Sequence, residues 1–231
     1  MTWTCTLHNK QTSPLPCLCR CLVFALVIQV PAICADTFTE GGDAYKAGDY
    51  TVALAKFTEV AERGDHRAMY ALGSMYAGGT GVKQDFRQAY KWFSEAASYG
   101  RTDAQYKLGL MYELGVGVKQ DYRRAARFYR DVGRKGYAHG QFKFGQLYLQ
   151  GHGVEQDLVK AYAWMSAANA NFTRSSGVAV LNEGEPAQSS DLFAVLHQEI
   201  IEAELKEITT KLSAADLAQA QELAREYMTY R

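Results

Sequence analysis

The chain has 231 residues, 25 basic and 25 acidic side chains, a net charge of zero and 48% hydrophobic residues. Of the basic residues only Lys10 and Arg20 precede Asp36, so the remainder sets 23 bases against 25 acids, a balance of −2. That balance argues against nucleic acid or an anionic membrane surface as partner, and the length suffices for one sizeable core or a row of small ones.

In chain order, the first feature is "CLVFALVIQVPAICA", from Cys21 to Ala35, behind a sparse basic lead. It is shorter than the roughly 20 apolar residues that a bilayer-spanning helix needs. A basic lead, a short apolar core and small Ala35 read as a secretory signal peptide over residues 1–35, cleaved near Ala35. All five cysteines (Cys5, Cys17, Cys19, Cys21 and Cys34) fall within it. The mature chain is therefore expected to reach the periplasm or the exterior and to fold without disulfides. Contact with a membrane is expected only if that segment stays uncleaved.

Beyond it, "LGSMYAGGTGVKQDFRQA" from Leu72, "LGLMYELGVGVKQDYRRA" from Leu108 and "FGQLYLQGHGVEQDLVKA" from Phe144 are one pattern at a spacing of 36. Gly73, Gly109 and Gly145 correspond, as do Tyr76, Tyr112 and Tyr148, Gly81, Gly117 and Gly153, and Asp85, Asp121 and Asp157. A fixed period of this length marks stacked units, read here as 66–101, 102–137 and 138–172. An incomplete copy at 38–65, with a shorter turn before Asp49, caps the N-terminal end. Each unit predicts two helices. In the second, Ala104, Leu108, Met111 and Tyr112 fall on one face, and Thr102 with Gln105 suggests a capping box. Gly115 and Gly117 end that helix, and Asp121 caps the next, whose apolar face is Ala125, Phe128, Tyr129 and Val132. Gly73, Gly109 and Gly145, inside first helices, imply close approach of a ring from the second helix, with Trp92, Phe128 and Trp164 as candidates. An aspartate stands where the anion would sit, which argues against a phosphate-binding loop.

After residue 172 the period is lost. Residues 173–190 read as a polar loop, and Asn171-Phe172-Thr173 forms a glycosylation sequon. Residues 191–231 predict a helical cap: Leu192 to Leu212 is amphipathic, and Ser213 with Asp216 starts a last helix with a Leu217, Ala220, Ala224 and Tyr227 stripe. The cap closes an open stack or provides a surface for oligomerisation.

These motifs resemble the Sel-one-like repeat (SLR) family, a relative of the tetratricopeptide repeat, over about Ala44 to Ala168. The resemblance implies an all-α fold, an α-α superhelix of antiparallel helix pairs whose first helices line a concave surface. It further implies a scaffold that binds a protein or peptide. If that geometry carries over, the groove residues are Arg67, Tyr70 and Ser74; Asp103, Tyr106, Leu110 and Glu113; and His139, Phe142 and Gln146. Tyr70, Tyr106 and Phe142 would then form an aromatic ladder, or else pack between units.

Catalytic motifs are missing from the sequence: it contains no Gly-x-Ser-x-Gly, Ser-x-x-Lys or His-Glu-x-x-His. His66, His139, His152 and His197 show no metal-ligand spacing, and no catalytic residue or cofactor is expected. Two rival readings stay open: a protein that binds or hydrolyses peptidoglycan or β-lactams, and a structural oligomer built through the C-terminal helices.

Overall fold

A computed structural model describes residues 37–175 and 189–229. The cysteine-bearing leading segment and most of the expected loop lie outside the described residues. Ten helices and no strand are present among the described residues. They are α1 (37–47), α2 (Tyr50–Glu62), α3 (His66–Gly78), α4 (Phe86–Ser98), α5 (Thr102–Leu114), α6 (Tyr122–Gly133), α7 (Ala138–Gln150), α8 (Leu158–Ser175), α9 (Ser189–Lys211) and α10 (Ala214–Met228). From α2 to α9 each helix packs on the next, and α10 returns onto α8. The result is an α-solenoid.

The repeated aspartates start helices as their chemistry dictates. Asp85 accepts the Arg87 and Gln88 amides at 2.9 and 3.0 Å, Asp121 that of Arg124 at 3.0 Å, and Asp157 that of Lys160 at 2.9 Å. These bonds satisfy donors that have no partner within the helix. The capping box expected at Thr102 and Gln105 is not formed. Arg101 is the N-cap residue of α5 and Thr102 is already helical, while Gln105 donates to the Ala97 carbonyl at 3.5 Å.

Close packing explains the glycines inside the first helices. A Cβ on Gly73 would lie 2.7 Å from the Phe93 ring, one on Gly109 2.6 Å from Tyr129, and one on Gly145 2.7 Å from Met165. The partner is thus the residue after Trp92, Phe128 and Trp164. One residue turns a helix by about 100°, and it is Phe93, Tyr129 and Met165 that point across the pair. Gly41 holds the same place against Phe57 at 2.9 Å, so the N-terminal unit repeats the packing despite its shorter turn.

A second periodic contact stacks one unit on the next. Gly81, Gly117 and Gly153 have φ of +73°, +74° and +72°, and a Cβ on each would lie 2.4 Å from Tyr50, Phe86 and Tyr122 respectively. Those three residues open α2, α4 and α6, the second helix of the preceding unit.

The C-terminal end departs from the pattern. With no glycine to stop it, α8 runs on to Ser175, and Phe172 is buried with Ile201 and Ile208 of α9. Asn171 of the sequon lies within α8 and donates to buried Gln141 at 2.8 Å. Ser213 caps α10 through the Asp216 amide at 3.1 Å, Ala220 and Ala224 are buried, and Tyr227 stacks on Trp164 at 4.1 Å.

Candidate peptide-binding groove

The first helices α1, α3, α5 and α7 carry the candidate residues, but the surface they line changes along the stack. Between α1 and α3 lies a cavity of about 520 Å³, whose walls include Phe38, Tyr45, Phe57, Tyr70 and Met75. Arg67 and Arg101 stand at its rim, their guanidinium groups 4.5 Å over the Phe38 ring and 4.7 Å over the Tyr70 ring. Asp65 and Asp103 hold those two arginines by ion pairs of 2.6 and 2.8 Å. Cation–ring stacking and pairing together fix two otherwise flexible side chains.

One period on, between α3 and α5, lies a second cavity of about 480 Å³. It has Phe93 where the first has Phe57, Met111 for Met75, Leu110 for Ser74, and Lys107 for Ala71. Ser74 lines both, so the two adjoin. Its mouth is apolar: Leu114 is 64% exposed and Phe86 36%.

Between α5 and α7 the corresponding space is filled from within. Tyr129 replaces Phe93, and its hydroxyl donates to Glu113. Lys143, one period after Lys107, pairs with the other Glu113 oxygen at 3.2 Å. Burial, and then the Glu113 bond and charge, push the Tyr129 phenol far above its usual range. Tyr106 is also enclosed, with the rings of Tyr129, Tyr137 and His139 at 5.8, 5.4 and 5.8 Å, and burial raises its phenol likewise.

Farther on, α9 covers the groove. Phe142 is 9% exposed in a cluster with Ile201 and Ile208, and Gln146 donates to Glu204 at 3.0 Å. The ladder expected of Tyr70, Tyr106 and Phe142 is therefore not a continuous open surface. Each aromatic leans on the second helix of its own unit, Tyr70 on Phe93 and Tyr106 on Tyr129, while Phe142 clusters with Met165. Of the ten candidates, Arg67, Tyr70, Ser74 and Leu110 line the two open cavities. Asp103 acts through Arg101, and Glu113, Tyr106 and His139 belong to internal packing. The expectation did not include Phe38, Lys107 and Leu114; the signal for Lys107 was its alignment with Lys143 and Ala71.

Two hollows on the loop edge are also a period apart, but their walls include Asp85 and Asp121, which are engaged as helix caps. Among the described residues no three His, Cys, Asp or Glu side chains are grouped to hold a metal. No helix among them is long and apolar enough to cross a membrane.

A family model for the Sel1 repeat matches residues 66–100, 102–130 and 138–171. Among solved structures, a protective antigen of uropathogenic Escherichia coli displaying an SLR fold is similar, with 30% identity and a TM-score of 0.59. The match covers 78% of this chain but 33% of the antigen, so the chain spans about a third of that protein's length. A Sel1 repeat protein from Oxalobacter formigenes matches in fold with 22% identity and a TM-score of 0.55, over 84% of this chain and 85% of the other. No curated protein matches.

Proposed function

Because the chain carries three Sel1 repeats in an all-helical solenoid, a fold commonly used as a protein-interaction scaffold, we propose that it is an exported adaptor. It holds a segment of another protein in the N-terminal half of its groove. The observation that supports this reading is the recurrence of one apolar cavity at a spacing of 36, open between α1 and α3 and between α3 and α5. Tyr45, Phe38 and Tyr70 in the first cavity, and Phe86 and Leu114 in the second, keep accessible apolar surface, and aromatic rings give contact area at low entropic cost. Both cavities are already formed and adjoin at Ser74, and a preformed surface lowers the ordering cost of binding.

Export rests on the apolar, cysteine-rich segment before Asp36, and the periplasm or exterior is the proposed place of work. Cell fractionation tests it: a protein found in the cytoplasm with residues 1–35 intact overturns that part.

The binding role is tested with a photo-crosslinking residue at Leu114, against a control at exposed Glu95 on α4. Specific adducts are expected from the Leu114 position, and they should vanish when Ala77, in the same cavity wall, is replaced by tryptophan. Equal labelling from both positions overturns the groove as the binding surface.

A further inference from the structure

The chain contains an internal template for what its open second cavity accepts. Between α5 and α7, Lys143 meets the Glu113 carboxylate at 3.2 Å, beside the ring that floors the space. One period earlier the same framework holds Lys107 for Lys143, Phe93 for Tyr129 and Ala77 for Glu113. The cation is kept, the carboxylate is deleted to a methyl group, and the space it would fill is the cavity. Lys107 is half-buried and pairs with no carboxylate among the described residues. No acidic side chain lines this cavity either. Lys107 is the cation on the wall of this cavity, so a carboxylate brought into it meets an attractive charge beside an apolar surface.

We infer that the second cavity binds an acidic side chain of the partner, Asp or Glu, against Lys107, next to a large apolar side chain seated on Phe86, Leu110 and Leu114. The partner is thus an acidic-and-apolar peptide segment, and Lys107 is the specificity-determining residue. This inference rests on the adaptor reading above. The first cavity has Ala71 in the place of Lys107, and its cations Lys46, Arg67 and Arg101 are already paired with Asp43, Asp65 and Asp103.

The test is selection from a phage-displayed random peptide library on the purified protein, followed by fluorescence anisotropy with the selected peptides. Wild-type selections are expected to be enriched in Asp or Glu beside Leu, Phe or Met. Lys107→Glu should replace that acidic preference by a basic one and weaken wild-type-selected peptides about tenfold, the size of one charge-assisted contact. Ala77→Glu restores the internal carboxylate and should weaken binding more than Ala77→Gln, which has the same size without the charge. Wild-type selections with no acidic excess, or an acidic excess that persists in Lys107→Glu, overturn the inference and leave groove binding standing. Selected peptides that still bind Leu114→Glu at full affinity overturn the groove itself.

Discussion

Gly109 and Tyr129 touch so closely that a Cβ on the glycine would stand 2.6 Å from the ring. The ring has no room to retreat, because Tyr129 is fully buried and its hydroxyl is held by Glu113. Alanine at a helix interior normally gains about 1 kcal/mol over glycine. At Gly109 that gain is outweighed by overpacking, which costs roughly 1–3 kcal/mol. Gly109→Ala is expected to lower the midpoint of urea unfolding. Gly42, in α1, has nothing within 4 Å of its Cβ position, and Gly42→Ala should raise it.

Gly117 joins two units, and alanine there meets two penalties. Its φ of +74° disfavours any side chain, and its Cβ would lie 2.4 Å from the Phe86 carbonyl oxygen. Gly100 has φ of +82° with open space around it, so alanine there meets the backbone penalty alone, about 1–2 kcal/mol. Gly117→Ala should therefore destabilise clearly more than Gly100→Ala, as compared by thermal melts. Equal losses would mean that the stacking contact contributes nothing.

Ile208 is fully buried where α9 meets α7 and α8. Ile208→Ala is expected to cost about 2–5 kcal/mol in chemical denaturation, as buried aliphatic truncations do. A loss below about 1 kcal/mol would show that α9 is not firmly seated over Phe142.

Acid should weaken the helix starts at Asp65 and Asp157. Burial raises each carboxyl, but side-chain and backbone bonds from Arg67 to Asp65, and from Lys160 to Asp157, bring both below the ordinary 3.8. A carboxyl whose folded value is depressed stabilises the fold fully above its unfolded value, and that contribution is lost as pH falls through the folded one. Melting temperature is expected to drop as pH falls from about 4 through the depressed values. Asp65→Asn with Asp157→Asn should flatten that part of the profile while leaving the fold intact at pH 7.

Much of this was legible beforehand because it is local. The aspartate caps, the helix-ending glycines and the Ser213 start follow from bonds reaching two to four residues along the chain. The glycines of the first helices announced a close contact, yet their partners lay one residue beyond Trp92, Phe128 and Trp164, since rotation about a packed helix is set by its neighbours. The groove was legible as a row of positions, but not as a surface. Phe142 and Gln146 occupy the same register as Tyr106 and Leu110, and nothing local to them shows that α9 folds back over them.

The sequence by itself determined the period, the helix pairs and their stacking, because each repeats within 36 residues and the same pattern recurs three times. Only the tertiary structure decided which stretch of groove is open. That choice depends on Glu113 meeting Tyr129 of its own unit and Lys143 of the next, and on α9 placing Glu204, 58 positions away, against Gln146. Such contacts are set by the shape of the packed stack, which no local pattern encodes.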